Sequence, residues 1–199
     1  MKKFFFILLF FVLHNFSDLY ALDVKEVNYY KDKKAWLVND NNLPIVAIKF
    51  AFKAGSGIDF KGKKGTANLT ASLLDEGAGN YSAKEFKKVL ADNSITLNFS
   101  VSHDNFYIDL YTLKENLDLS FQLLDLALTN PIFELEEVNR IKGNIKLILE
   151  ESYKDPDKIA SRIFREVLFE DHPYKYDTLG VIEDIDKIEK QDLEFFLKT

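Results

Sequence analysis

The sequence predicts an α+β fold, in which helices pack on one face of an antiparallel sheet. Three features of the 199-residue chain lead to this prediction. Strand-like and helix-like segments follow one another as three strands, two helices, two strands and further helices, without the regular alternation of a parallel α/β fold. Apolar residues recur at every second position in the strands and every three or four in the helices. An apolar content of 47% is sufficient for a buried core.

Three strands are predicted in the first part of the chain. Residues 27–31 and 35–38 are short strand-like runs on either side of Asp32-Lys33-Lys34, and this pattern indicates a hairpin. A stronger strand opens at Leu43-Pro44 and ends at Gly55-Ser56-Gly57. It alternates apolar residues with small or charged ones, and its apolar positions are Val46, Ile48, Phe50 and Phe52.

Two helices follow a glycine-punctuated loop that ends at Gly65. The first ends at Gly77 and Gly79, and it has three residues on one face, namely Leu69, Leu73 and Leu74. Ser82 and Glu85 form a capping box that begins the second helix. Its inward-facing residues are predicted to be Phe86, Val89 and Leu90.

The second half of the chain returns to strands and then becomes helical. Two alternating segments, 95–101 and 105–111, are predicted strands joined around His103-Asp104. Helices are predicted over the ranges 117–128, 134–153 and 159–169, and a last one begins near Lys190. This last helix has no stop signal, so we expect the sequence to be truncated before a further domain.

The N-terminus predicts export. Lys2 and Lys3 precede an unbroken apolar run over 4–13, and a short polar stretch leads to a cleavage site after Ala21. The apolar run is shorter than the roughly 20 residues that a membrane span requires. Residues 1–21 are therefore predicted to be a cleaved signal peptide, with an uncleaved anchor or a lipid-facing helix as the alternatives. The expected destination is a periplasm-like compartment.

Charge and composition exclude several function classes. A net charge of -6 and a pI of about 5.2, without a basic patch, give no reason to expect nucleic-acid binding. The lysine clusters 31–34 and 61–64 are interpreted as solvated turns rather than phosphate-binding patches. The chain has no cysteine, which excludes disulfides, thiolate metal sites and a cysteine nucleophile.

Several motifs in order along the chain resemble those of one family. They are Phe52-Lys53-Ala54-Gly55-Ser56-Gly57, Gly65-Thr66-Ala67, Thr129-Asn130-Pro131-Ile132-Phe133, Asp155-Pro156, and His172-Pro173-Tyr174 with Gly180 beyond it. Together they resemble the N-terminal domain of the insulinase/pitrilysin (M16) peptidases, over residues 22–199. The resemblance implies a processing-peptidase-like domain. In that family two such domains usually follow one another, and two chains or halves close around an unfolded peptide.

The zinc-binding motif of the resembled family is absent from this sequence. That motif, His-x-x-Glu-His, places two histidines on one helical face to hold zinc, with the glutamate as general base. In register with Gly65-Thr66-Ala67, the corresponding positions are Asn68, Ala71 and Ser72. Asparagine and serine are poor zinc ligands and alanine accepts no proton. We therefore expect no bound zinc and no catalytic residues.

No substitute for the missing ligands is evident. The third ligand of the family, a glutamate, aligns near Ile148 or Leu149, and the acidic residues at 150 and 151 point about 100 degrees or more away. His103 is interpreted as capping a turn, and His172 as a packing residue with a backbone hydrogen bond. Ser72 has no His or Lys at helical spacing that could activate it.

A peptide-binding strand remains a possibility implied by the resemblance. Substrates of the family add as a strand to an exposed sheet edge, and residues 95–100 align with that edge. The candidate substrate-binding residues are Leu97, Asn98 and Phe99, with Phe99 in place of a normally small residue. The alternative, that this is a core-facing strand without a binding role, stays open.

Three functions follow from the resemblance. The leading hypothesis is a non-catalytic partner subunit that forms a hetero-oligomer with an active homologue and helps to enclose extended peptides. The second is a zinc metalloendopeptidase with atypical ligands, which elemental analysis for zinc would detect. The third is a structural assembly subunit without a peptide groove, which would form a stable hetero-oligomer and bind no peptide.

Overall fold

The computed structural model describes residues 23–28, 33–40 and 42–199, and the chain divides into two compact units after Leu43. In the first unit, strands β1 (Val24–Asn28) and β2 (Lys34–Val38) pair antiparallel, with Val24 opposite Val38. The predicted hairpin is thereby confirmed, but its first strand begins three residues before the predicted range 27–31, and Lys34, predicted in the turn, belongs to β2 and pairs with Asn28. Most of its connecting turn, and the whole predicted signal peptide, lie outside the described residues.

The second unit contains a three-stranded antiparallel sheet. Its strands are β3 (Ile45–Phe52), β4 (Thr96–Val101) and β5 (Phe106–Leu113), in the spatial order β3-β5-β4. Successive side chains of a strand point to opposite faces, so the two-residue alternation gives the sheet one apolar face and one more polar face. On one face, β5 contributes four buried side chains, those of Phe106, Ile108, Leu110 and Thr112. On the other face Lys49 pairs with Asp109 at 2.8 Å.

Among the described residues, the second unit also contains seven α-helices. They are α1 (Thr66–Ala71), α2 (Ala83–Asp92), α3 (Leu117–Thr129), α4 (Leu135–Ser152), α5 (Pro156–Phe169), α6 (Ile182–Ile185) and α7 (Lys190–Phe196). Short 3₁₀ turns occupy Ser56–Ile58, Lys114–Asn116 and Pro173–Lys175. The long helices match the predicted ranges within a few residues. The sequence did not predict α6 or the 3₁₀ turn at Pro173, because neither is long enough to establish a period.

The first helix is shorter than the leucine spacing predicts. It ends at Ala71, after which Leu73 N donates to Thr70 O at 3.0 Å and Glu76 N donates to Leu73 O at 3.1 Å. These bonds reach back three residues, so the chain tightens into turns before Gly77. Leu73 remains buried, because the turns keep it directed into the core.

The core lies between one face of the sheet and the helices. Helices α1 and α2 pack on β4, α3 packs on β5, and α7 packs on α1. The capping box of Ser82 and Glu85 is present at the start of α2, as predicted. The largest fully buried side chains include Leu69, Leu73, Phe86, Ile108, Leu110 and Leu193. Within the described ranges, none of the helices has both the length and the apolar character needed to cross a membrane.

Candidate functional site

Helix α1 starts on a loop that is shaped by two glycines. Gly65 adopts a positive φ of 105°, and a Cβ at this position would lie 2.6 Å from Ile185 Cδ1 and 2.8 Å from Leu179 O. Gly180, with a φ of 100°, lies so close to Lys64 O that a side chain would collide with the backbone there. Only glycine combines this backbone conformation with such close contacts. The loop that precedes α1 is therefore held against the segment around residue 180.

Asp59 caps the start of α1 from within the preceding loop. One carboxylate oxygen accepts from Gly65 N at 2.8 Å and the other from Ala67 N at 2.9 Å. Asp59 is only 7% exposed, and its burial raises the pKa of the carboxyl although these two hydrogen bonds oppose the shift. The first amides of α1, which have no partner within the helix, are thus satisfied by a protein carboxylate.

Two lysines of the loop, Lys63 and Lys64, are structural, contrary to the interpretation of the cluster 61–64 as a solvated turn, whereas Lys61 is exposed as that interpretation predicts. Lys64 is buried, donates through Nζ to Asp59 O, and has its ammonium 5.1 Å from the centre of the Tyr176 ring. Burial lowers the pKa of Lys64, against the attraction of the nearby carboxylates. Lys63 pairs with Asp192 at 2.7 Å. The prediction failed because the partners of these lysines, a backbone carbonyl, an aromatic ring and a carboxylate, are brought next to them only by folding.

The three positions aligned with the zinc motif have local structural roles. Ser72 Oγ donates to Asn68 O at 2.9 Å, and Ser72 N donates to the same carbonyl at 3.0 Å. Ala71 is 3% exposed and belongs to the hydrophobic core. Asn68 is half-buried. The helix therefore offers an amide, a methyl group and a hydroxyl whose proton is already used within the helix.

The zinc of the resembled family does not fit these residues. A zinc site requires three or four nitrogen, thiolate or carboxylate ligands directed at one point. Across the described residues there is no cluster of three or more His, Asp or Glu placed to hold a metal ion. On α4, Leu149 is buried and Ile148 is exposed, whereas Glu151 pairs with Lys154 at 2.8 Å.

The predicted substrate-binding strand lies at an edge of the three-stranded sheet. Among the described residues, β4 pairs with β5 alone, so its other edge is open. Leu97 is buried in the core, and Phe99 is half-buried with its ring 6.3 Å from that of Phe106. Asn98 is exposed and lies opposite Asp109 in the register. Of the three predicted residues, only Asn98 is exposed, whereas Leu97 packs in the core.

The two histidines beyond the N-terminal segment belong to one aromatic cluster. His103 Nε2 lies 3.0 Å from Tyr176 O, and its ring is 4.9 Å from that of Tyr174. The turn itself is capped by Ser102, whose Oγ accepts from Asn105 N at 3.0 Å, so His103 does not have the predicted capping role. His172 accepts from Tyr174 N at 3.3 Å and packs edge-on against that ring, as the packing interpretation predicts.

Sequence reasoning missed the residues that hold these loops together. Tyr174 donates through its hydroxyl to Asp104 at 2.5 Å, although the two residues are 70 positions apart. Glu76, only 6% exposed, accepts from Lys87 and Arg140, each at 2.6 Å. No local pattern marks either pair, because both depend on segments that are distant in sequence.

Comparison with known proteins places the chain in a family. The insulinase family (peptidase family M16) matches residues 34–182, and the chain therefore belongs to this family. It is 31% identical over 175 residues to the protein described as "Non-peptidase homolog YmxG" of Helicobacter pylori. That alignment covers 87% of this chain and 40% of the relative.

Two solved structures share the fold. A peptidase M16 inactive domain from Pseudomonas fluorescens aligns with a TM-score of 0.81 at 23% identity, covering 88% of this chain and 43% of that one. The periplasmic protease PqqL from Escherichia coli aligns with a TM-score of 0.68 at 15% identity, covering 78% and 18%. These likenesses confirm the predicted α+β fold. The chain spans less than half the length of each of these proteins.

Proposed function

We propose that this chain is a non-catalytic member of the insulinase family that helps an active zinc peptidase of the same family to bind and enclose extended peptides. The observation that carries the proposal is the state of α1. Ser72 is hydrogen-bonded to Asn68 O, and Ala71 is buried where the general base would have to reach a metal-bound water. None of the three positions aligned with the zinc motif therefore provides the group that zinc chemistry requires.

The relatives support the same proposal. The Helicobacter pylori protein is described as a non-peptidase homologue, and the Pseudomonas fluorescens structure as an inactive domain. A retained framework without the metal ligands favours a role in which another chain performs the chemistry. This chain would then bind no zinc and would act as one member of a hetero-oligomer.

The peptide-binding part of the proposal rests on the edge of β4. No strand in the part of the chain that the structure describes pairs with its outer backbone groups, so they can pair with an added strand, in the way that extended peptides join exposed sheet edges. Asn98 is the outward-facing residue at the centre of this edge, whereas Leu97 and Phe99 hold the strand against the core. Affinity would come from the main chain, and broad peptide selectivity is the expected consequence.

The test is to mix the purified chain with a homologue from the same organism that has an intact His-x-x-Glu-His motif. We expect no hydrolysis of a fluorogenic peptide by this chain alone, and a higher kcat/KM for the mixture than for the homologue. A homologue whose motif glutamate is replaced by glutamine serves as the control and should remain inactive. An unchanged cleavage rate and substrate affinity in the mixture would contradict the partner role.

We also propose export to a periplasm-like compartment. The support is the sequence pattern of residues 1–21 and the periplasmic location in the name of the PqqL protease, which has the same fold. The expected mature N-terminus after cleavage is Leu22. Mass spectrometry of the protein from a periplasmic extract checks this, and recovery of full-length chain from the cytoplasm would contradict it.

A further inference from the structure

Helix α5 has an apolar stripe that faces solvent instead of the core. Its members follow helical spacing, at positions i, i+3, i+4, i+7 and i+8, and they are Ala160, Ile163, Phe164, Val167 and Leu168. Such a stripe ordinarily faces the core. Here the four large side chains are 52%, 64%, 73% and 56% exposed, and no residue of α5 is buried. An apolar surface of this kind marks an interaction site.

The outward orientation is fixed by contacts on the opposite side of the helix. The Arg162 guanidinium lies 4.4 Å from the centre of the Tyr153 ring, and Arg165 pairs with Asp177 at 3.2 Å. Phe169 packs edge-on against Tyr174 with 5.5 Å between ring centres. Asp155 caps the start of the helix by accepting from Asp157 N at 2.9 Å. The helix is therefore anchored by its polar and aromatic side, and the stripe remains outside.

The charges at the ends of α5 restrict what can cover the stripe. At the N-terminal end, Lys154 is paired with Glu151 at 2.8 Å, which leaves Asp155 and Asp157 against Lys158. At the C-terminal end Glu170 and Asp171 follow the helix, and these flanking residues are all exposed. Arg165 is already paired with Asp177. Both ends are thus net negative, so two copies of α5 would repel each other in either a parallel or an antiparallel arrangement. An anionic membrane surface would be repelled for the same reason, because it attracts Lys and Arg.

We propose that this stripe is the docking surface for an amphipathic helix of the partner polypeptide, with an apolar face and basic residues at both ends. The stripe spans eight residue steps, about 12 Å along the helix, which is enough for two turns of a second helix to pack ridge into groove. Phe164 is the central anchor and Ala160 allows close approach. This inference rests on the proposed function, because the partner is the active homologue.

Substitution on the stripe tests the surface directly. Phe164→Ser combined with Val167→Ser should weaken binding of the homologue at least about tenfold, as measured by isothermal titration calorimetry. The exposed Leu135→Ser, at 75% exposure on α4, is the matched control and should bind within about twofold of the wild type. Asp157→Lys with Asp171→Lys should also weaken binding and reduce its dependence on salt. Unchanged binding by the stripe variant would overturn the surface and leave the proposed function intact.

A second probe separates failure of the surface from failure of the function. It is a synthetic helical peptide with leucines at i, i+3, i+4 and i+7 and lysines at both ends, compared with the same peptide ending in glutamates. If the homologue does not bind at all, the proposed function fails, and selective binding of the lysine peptide still supports the surface. If the two peptides bind equally, or if neither binds, the proposed docking surface is overturned. The proposal is also overturned if the wild-type protein forms a dimer or binds phosphatidylglycerol vesicles and the stripe variant does not, because another occupant then covers the stripe.

Discussion

The carboxylate of Asp59 accepts a hydrogen bond from the backbone amide of Ala67, with 2.9 Å between Oδ1 and N. The residues are eight positions apart, and the bond joins the glycine-punctuated loop to the first turn of α1. A negative charge at the N-terminal end of a helix is favourable because it meets unpaired amides and the positive end of the helix dipole. Helix α1, which aligns with the zinc motif of the resembled family, is therefore anchored by a carboxylate of the chain itself.

Replacing Asp59 should destabilise the fold through this bond. Asp59→Asn removes the charge and directs an NH₂ group at a backbone amide, and we expect a loss of about 2 kcal/mol in the free energy of unfolding. Urea denaturation at neutral pH measures the change. Asp125→Asn, on the exposed side of α3, is the control and should change stability by less than about 0.5 kcal/mol. Equal losses in both variants would contradict the capping role.

Replacing Gly143 or Gly180 with alanine should change the stability of the protein in opposite directions. Gly180→Ala places a Cβ against Lys64 O at a φ of 100°, so we expect destabilisation by roughly 2–4 kcal/mol. Gly143 lies within α4, and a Cβ there meets nothing within 4 Å. Gly143→Ala should therefore stabilise the protein by about 0.5–1 kcal/mol. Thermal unfolding of the pair decides this, and a stable Gly180→Ala protein would refute the close contact.

Glu76 should make the protein less stable in acid. Burial opposes its ionisation, but hydrogen bonds from Lys87 and Arg140 outweigh this and hold the pKa of Glu76 below its ordinary value. A lowered pKa contributes stability that is present above the ordinary value of about 4.5 and is lost as pH falls through the folded-state pKa. Glu76→Gln should flatten the stability profile in this acidic range. Urea titrations from pH 3 to 7 check this, and parallel profiles would exclude the assignment.

Restoring one residue of the zinc motif should damage the fold. Ala71 is 3% exposed, so Ala71→Glu buries a carboxylate among apolar side chains and should cost about 3 kcal/mol or more. Ala91→Glu, at an exposed position of α2, is the control and should be nearly neutral. Elemental analysis should find no stoichiometric zinc in the wild type or in either variant. One zinc per wild-type chain would contradict the proposed function.

The phenol of Tyr174 should report on the loop contact that it makes. Its hydrogen bond to Asp104 raises the pKa of Tyr174 above the ordinary value of 10.0, and the nearby negative charge adds to this. Asp104→Ala should lower that pKa towards the ordinary value. An NMR titration of ring-labelled tyrosine measures the shift, with Asp125→Ala as the control. If Tyr174 titrates identically in both variants, the contact does not form in solution.

Much of the fold could be predicted because its evidence is local. The alternation from Val46 to Phe52 predicts β3, and the capping box of Ser82 and Glu85 predicts the start of α2, since neighbouring residues carry the whole signal. A short element cannot be predicted in this way, because the four residues of α6 are too few to establish a period. The apolar spacing in α5 correctly predicts a helix, but it cannot indicate which surface, if any, covers the stripe.

The candidate site divides in the same way. The amino-acid letters at Asn68, Ala71 and Ser72 already remove the ligands and the base that zinc chemistry requires, because those groups are properties of the side chains themselves. Only the tertiary structure determines that Ala71 is enclosed by the core, that Lys64 is buried, and that Asp59 holds α1. These features depend on segments brought together by folding, whose distances no local pattern encodes.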